Sequence, residues 1–327
     1  MNDDLYPLLF EPVYKDYIWG GTRIAAVYGR DMEMDVCAES WEIADRPEGM
    51  SIVRNGPLAG RTLNELATER RADMLGLSAN GDVFPLLIKI IDARQRLSVQ
   101  VHPNDESAAV HGGDAKTEMW YVLDAEPDAT IFAGLRAGTD PDSFRRALED
   151  ERLEETLCSL PARAGEAIYI PGGRVHAIGA GCLLLEVQQN SNTTYRVYDW
   201  GRVGTDGKPR ELHVDQAFKV IDWGAGPVAA AQPQRVEGAG PNTCWEVISC
   251  EYFRVKRVDL REAETVSPGG GFNALFTSAG TTVVQGGGMA EELAPGTSCL
   301  IPAALDSYTL TPRNGESQVL QITGANA

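Results

Sequence analysis

The stretch LSVQVHPND, residues 97–105, sets a glutamine and a histidine two positions apart in an otherwise apolar, strand-like run. Side chains alternate across a strand, so Gln100 and His102 share one face while Val99 and Val101 take the other. Two polar side chains turned to one side of a buried strand need a partner, and an amide beside an imidazole suits a metal ion or a charged substrate. Ser98 falls on the same count; it reads either as a hydroxyl donor to a substrate or as a serine satisfied by backbone. A second stretch, GEAIYIPGGRVH, ends in His176 and spells G-x5-P-x-G-x-x-H. Lys89, in PLLIKII, is a lysine inside an apolar run, which is costly unless it is paired or faces a cavity. Glu186, in CLLLEVQQN, is a lone carboxylate among aliphatics. Burial would raise its pKa toward the range of a general base, or it could serve as an acceptor that orients a ligand histidine or Arg196. Trp19, in YIWGG, reads as a pocket wall or as core packing. His111 and His213 read as surface or structural, and Glu39 and Glu42, in ESWEIA, receive no role.

The elements that must hold these residues are mostly strands. PLLIKII, LSVQVHP, EMWYVL, EAIYIP and CLLLEVQQN, then YFRVKRVDL, FNALFTS, TTVVQGG and TSCLIPA, are short, β-branched and punctuated by Gly, Pro, Asn and Asp, which predicts an all-β barrel or sandwich with helical additions. Thr62 and Glu65 have capping-box spacing before a helix in RTLNELATERRADML, and Thr139 precedes Asp142 by the same interval before a second helix. In that second helix Phe144, Ala147 and Leu148 form an apolar stripe. Residues 221–243 are rich in Gly, Ala and Pro without periodicity and read as a linker. GTSCLIPAALDS, residues 296–307, repeats the Gly, five residues, Pro pattern of 165–176, with Ser307 where the first copy has His176 and Ala304 where it has Gly173. The expected division is therefore 1–222, a linker over 223–243, and a related, metal-free domain over 244–327.

The chain has 327 residues and a formal net charge of −18. That charge disfavours nucleic acid and anionic membranes as partners, while a small phosphorylated substrate is compatible with a few cations gathered locally. No apolar run reaches the roughly 18 to 20 residues of a membrane helix, and the acidic start MNDDLYPLLFEP lacks the basic flank of a signal peptide, so a cytoplasmic location is expected. Six scattered cysteines without C-x-x-C spacing argue against a thiolate metal site or a disulfide scaffold. Assembly is left open between a monomer and a small homo-oligomer.

Q-x-H followed by G-x5-P-x-G-x-x-H matches the two halves of a cupin metal site. With FEPVYKDYIWGG, ESWEIADRPEG, PLLIKIIDARQRLSVQVHPND, KTEMWYVL, IPGGRVHAIGAG and EVQQNSNTTYRVYDWGR in this order, the chain resembles type I mannose-6-phosphate isomerase in its shorter bacterial form. The resemblance implies a mainly β fold: a cupin-type β-barrel, or jelly roll, with helical additions, followed by a smaller cupin-like domain. It implies one Zn2+ per chain held by Gln100, His102, Glu118 and His176, and interconversion of mannose 6-phosphate and fructose 6-phosphate through an enediol or enediolate. The residues themselves reach the same four ligands, although two histidines and a carboxylate describe iron or manganese equally well. Arg196, in TTYRVYDW, matches the family's catalytic arginine and is suited to an enediolate or a phosphate. Lys116, two before Glu118, shares its face if KTEMWYVL is a continuous strand, and is assigned substrate contact or proton transfer. The interval from His102 to Glu118 is longer than a simple cupin allows, so DESAAVHGGDA must form an excursion. Competing readings are an iron-dependent cupin using oxygen and a sugar-phosphate-binding cupin without turnover.

Overall fold

In the computed structural model, residues 5–77, 81, 83–204, 207–236 and 240–324 are described. The protein is mainly β and consists of two compact units. One comprises Tyr14–Ser40 and Lys89–Ala231; the other comprises Met1–Val13, Trp41–Ile88 and Gln232–Ala327. This differs from the linear division expected from composition. The last crossing, between residues 231 and 232, falls inside the Gly/Ala/Pro-rich segment, but the three earlier crossings lie within the strands Val13–Lys15, Glu39–Ile43 and Leu86–Ala93, where no breaker marks them.

The first unit is built on a five-stranded sheet ordered Leu157–Pro161, Thr130–Leu135, His176–Ile178, Val99–Val101, Tyr195–Tyr198. A six-stranded sheet runs Ala167–Ile170, Glu118–Ala125, Cys182–Gln189, Leu86–Ala93, Glu39–Ile43, Val13–Lys15. Period-two alternation sorts their side chains. Ile131, Ala133 and Ile178 of the smaller sheet pack with Ile91, Trp120, Val122, Ile168 and Leu184 of the larger. The opposite face of the smaller sheet, with Val99, Val101, Phe132 and Ala177, is covered by Phe144 of the helix Pro141–Glu149 and by Ala217 and Val220 of the helix Val214–Val220. Because Val99 and Val101 face the helices, Gln100 between them faces the barrel interior.

The helix Leu63–Glu69 has the expected Thr62–Glu65 capping box. The helix Pro141–Glu149 is capped one residue later than expected, by Asp140. Its carboxylate accepts the Ser143 N–H at 2.7 Å while Ser143 Oγ accepts the Asp140 N–H at 2.9 Å. Pro141 at the first helical position, with its fixed φ and missing N–H, sets that start. The excursion after His102 is the helix Asp105–His111, capped by Asn104 and Ser107.

In the second unit an eight-stranded sheet includes, in order, Thr243–Ser249, Phe253–Leu260, Tyr308–Gly324 and Asn273–Gly286, with Ser298–Ile301 paired to the last. The repeat seen in sequence has a structural counterpart. Gly165 and Gly296 both adopt positive φ, 85° and 80°. The Gly165 N–H donates to Val122 O and the Val122 N–H to Glu166 O; the Gly296 N–H donates to Thr277 O and the Thr277 N–H to Thr297 O.

Candidate metal centre and active-site cavity

Gln100 sits directly opposite His176 across the pairing of Val99–Val101 with His176–Ile178. His102 lies one residue past the Val99–Val101 strand, and Glu118 opens the strand Glu118–Ala125 of the other sheet. The His102 Nδ1 lies 2.8 Å from Thr193 O and the His176 Nδ1 lies 2.9 Å from Arg174 O. A carbonyl can only accept, so each Nδ1 carries the proton and each Nε2 presents a lone pair. Those two Nε2 atoms stand 3.5 and 3.3 Å from the Glu118 carboxylate oxygens. Ligands about 2.0 to 2.1 Å from a tetrahedral ion are separated by roughly 3.3 Å, so one ion satisfies both contacts. His102 Nε2 and Glu118 Oε1 are buried without a hydrogen-bond partner, and Glu118 Oε2 has only the Lys116 ammonium, an arrangement that costs free energy unless a cation fills it. The three side chains form a possible metal cluster with all donor atoms within 4.8 Å of one another.

Gln100 approaches differently from a ligating amide. Its Nε2 faces His176 Nε2 at 3.3 Å, and its Oε1 accepts the Ser98 hydroxyl at 3.1 Å. Turning the amide over presents Oε1 to the cluster and the NH2 to Ser98 Oγ, which accepts equally well. Ser98 is thus engaged with Gln100 rather than with backbone.

Charge is organised around the cluster. The Lys116 ammonium is 2.9 Å from Glu118 Oε2. The strand begins at Glu118, not at Lys116; Lys116 reaches the carboxylate from the preceding segment, whose N–H donates to Pro103 O. Burial pushes the Glu118 carboxyl up, but Lys116 and the two imidazoles outweigh it and hold the group well below the usual carboxylate range. Burial, then the Lys116 charge, lowers the His102 imidazole to about 3, and burial lowers His176. Both are neutral and able to ligate at ordinary pH.

A cavity of about 280 Å³ adjoins the cluster, and every sequence-assigned substrate or catalytic residue lines it: Trp19, Lys89, Ser98, Lys116, Glu186 and Arg196. Lys89 is buried with its ammonium 2.7 Å from Glu186 Oε2 and 3.3 Å from Glu39 Oε2. Desolvation alone would lower the Lys89 pKa, yet Glu186 and Glu39 together raise it. Burial and the Glu118 charge push Glu186 up, against Lys89 and Lys116. The other Glu186 oxygen accepts the Trp120 indole N–H at 2.7 Å, so its observed partners are Lys89 and Trp120 rather than a ligand histidine or Arg196. Arg196 is held by a bond from Nη1 to Glu211 O at 2.8 Å, its Nε has no hydrogen-bond partner, and no described carboxylate forms an ion pair with it. Trp19 both lines the cavity and belongs to the barrel core. His111 is exposed, and His213 Nδ1 accepts the Arg196 N–H at 3.3 Å.

The cavity also takes in Glu39, to which no role is assigned above, and Arg210, which is not named there. Glu39 was legible in principle, since a buried Lys89 demands carboxylates and ESWEI is a strand that supplies one. Arg210 lies in a loop with no periodic signal; it is anchored by Asp199, whose carboxylate is 2.8 Å from Arg210 Nε and also pairs with Arg202. Four cations, Lys89, Lys116, Arg196 and Arg210, thus face two carboxylates, Glu39 and Glu186, around the cavity of a chain whose net charge is −18.

A mainly β, two-unit chain with a buried His/Glu/His cluster beside a cation-lined cavity defines a cupin enzyme built for a small anionic substrate. Residues 8–133 match the family model of the phosphomannose isomerase type I catalytic domain, and residues 243–319 match that of the mannose-6-phosphate isomerase cupin domain. The mannose-6-phosphate isomerase ManA of Bacillus subtilis is 38% identical over 307 residues, covering 93% of this chain and 95% of that protein. A mannose-6-phosphate isomerase of Streptococcus mutans is 38% identical over 250 residues, 76% of this chain and 77% of that one. The crystal structure of the mannose 6-phosphate isomerase from Bacillus subtilis superposes with a TM-score of 0.88 at 30% identity, covering 97% of this chain and 99% of that one. The chain belongs to the type I mannose-6-phosphate isomerase family of enzymes.

Proposed function

We propose that the protein interconverts D-mannose 6-phosphate and D-fructose 6-phosphate, with one Zn2+ held by His102, Glu118, His176 and the turned-over amide of Gln100. The observation that carries this reading is the orphaned cluster itself: buried lone pairs on His102 and Glu118 aimed at one point, beside a cavity with an excess of cations. When bound, the ion supplies Lewis-acid polarisation of substrate oxygens or orients the sugar.

This chain's residues supply the rest. Arg196 and Arg210 hold the phosphate, with the unpartnered Nε of Arg196 as an available donor. Glu186 takes the proton from C2 of the aldose and returns it to C1, passing through an enediolate. Lys89 keeps the carboxylate ionised and the Trp120 N–H fixes its second oxygen. Lys116 moves the proton between the neighbouring oxygens or contacts the sugar, and Trp19 walls the cavity. Among the described residues no helix is long and apolar enough to cross a membrane; the reading places the enzyme in the cytoplasm, where sugar phosphates are found.

Metal content of the purified protein combined with a coupled isomerase assay in both directions tests the proposal. Activity abolished by a chelator and restored by zinc is the expected result. Bound iron with oxygen consumption, or tight sugar-phosphate binding without turnover, would overturn it.

A further inference from the structure

The second unit contains a cavity of about 180 Å³ lined by Arg254, Lys256, Asn273, Gln321 and Thr323 among others. Its place in the fold is defined by the repeat. In the first unit Ile170 pairs with Glu118, Gln188 pairs with Glu118 on the other side, and Glu186 pairs with Trp120 two residues on. In the second unit Ile301 pairs with Asn273, Thr323 pairs with Asn273, and Gln321 pairs with Leu275 two residues on. Asn273 therefore occupies the register position of Glu118, and Gln321 that of Glu186. On the next strand Lys256 stands opposite Gln321, as Lys89 reaches Glu186 from the strand beside it. Each of the two acids has become an amide while the lysine is kept.

That exchange changes what the cavity can hold. No histidine lies beyond residue 213, so the second barrel has no imidazole to offer a metal. Asn273 is buried, and its Oδ1 accepts from the Tyr308 hydroxyl at 3.0 Å and from Gln321 Nε2. The network is neutral and fully internal. Among the described residues the Lys256 ammonium makes no hydrogen bond or ion pair, in contrast to Lys89, while Arg254 pairs with Glu246, 3.3 Å away and partly exposed. With the amides spent on one another, what the cavity offers a ligand is the Lys256 ammonium and the Arg254 guanidinium beside the Ser267 and Thr323 hydroxyls, a set that suits an oxyanion carrying hydroxyl groups.

The geometry points to a second, metal-free binding site in this barrel for the phosphate group of a small sugar phosphate. The choice of sugar phosphate over other oxyanions rests on the isomerase reading; the anion site itself does not. Calorimetric titration of the full, metal-loaded chain with inorganic phosphate and with fructose 6-phosphate tests it, alongside Lys256→Met and Gln321→Glu. Lys256 is half-buried with an alkyl stem that methionine matches, and Gln321→Glu restores the acid of the first barrel, so the two variants probe the site in different ways. The expected result is one binding event beyond the catalytic site, weakened at least tenfold by either substitution, with turnover unchanged. Phosphate should also raise the melting temperature of the wild type more than that of Lys256→Met. A single binding event unaffected by both variants overturns the site, whether or not isomerase activity is found. Binding of acetate as tight as that of the sugar phosphate overturns the ligand class.

Discussion

The Lys89 ammonium lies 2.7 Å from the Glu186 carboxylate, and both groups are buried in the cavity lining. Two charges withdrawn from water at that distance hold each other in the ionised state. Neither could remain so alone, because a single buried charge is costlier than the pair. The pair is therefore a device that keeps a carboxylate charged next to a second carboxylate, Glu118, whose own field opposes it.

Lys89→Met removes the cation and leaves Glu186 and Glu39 facing an apolar side chain. The Glu186 pKa, already raised, moves further up, so the acid limb of the kcat profile shifts to higher pH and kcat at neutral pH falls by about 10²-fold or more. Breaking one side of the pair costs about 3 to 5 kcal/mol in urea unfolding. Lys89→Met combined with Glu186→Gln recovers much of that stability and none of the activity. A double variant no more stable than the single one would show that the pair is not the source of the loss.

The metal-stripped protein should lose stability in acid in a defined window. His102 titrates near 6.5 in the unfolded chain and at about 3 in the folded one. Between those values the unfolded chain binds more protons, so stability rises with pH there; it is fully present above about pH 6.5 and declines as pH falls toward 3. His176, lowered in the same direction, adds to the slope. Urea midpoints of the stripped protein at pH 7, 6 and 5 check this, and a flat profile would show the imidazoles are not held neutral by burial.

How much of the fold and the site is legible in the sequence depends on whether a residue's element carries a period. Gln100 could be assigned to the interior because its neighbours Val99 and Val101 alternate with it, and both do pack under the helices. Lys89 and Glu186 stood out as charges in aliphatic runs, and each turned out to be the other's partner. Glu39 is legible only through Lys89, whose burial calls for carboxylates; its own strand gives no help, since every residue of Glu39–Ile43 is buried and no alternation assigns a face. Arg210 sits in a loop and is fixed only by a tertiary contact to Asp199, which no local pattern encodes. The three early unit crossings are invisible for a related reason. They occur within hydrogen-bonded strands, whereas composition marks only crossings made through loops.

Glu118→Gln should abolish metal retention while leaving the fold intact. The amide loses the charge that offsets a divalent ion, and it places an NH2 donor among lone pairs that cannot all accept usefully. Added zinc should raise the melting temperature of the wild type by mass action and leave that of the variant where it is. Lys116, 2.9 Å from Oε2, also loses its counter-charge, so the variant alone should unfold at a slightly lower temperature than the stripped wild type. An equal zinc-induced shift in both proteins would remove Glu118 from the metal site.

Arg196→Lys separates charge from shape. The guanidinium is held through Nη1 by Glu211 O, which leaves Nε and the second Nη directed elsewhere at fixed angles. A lysine keeps the positive charge but satisfies Glu211 O with the same single nitrogen that would have to reach substrate, so it cannot do both. Arg196 lies opposite Gln100 across the strand pair and its guanidinium has no lone pair to offer a cation, and metal content should therefore stay at the wild-type value. Loss of one charged donor aimed at a developing oxyanion or phosphate costs about 10²- to 10³-fold in kcat/KM. If the loss appears in KM alone, Arg196 serves phosphate binding; if kcat falls with KM unchanged, it acts on the enediolate. An unimpaired variant would take Arg196 out of the reaction and leave Arg210 as the cavity's remaining guanidinium.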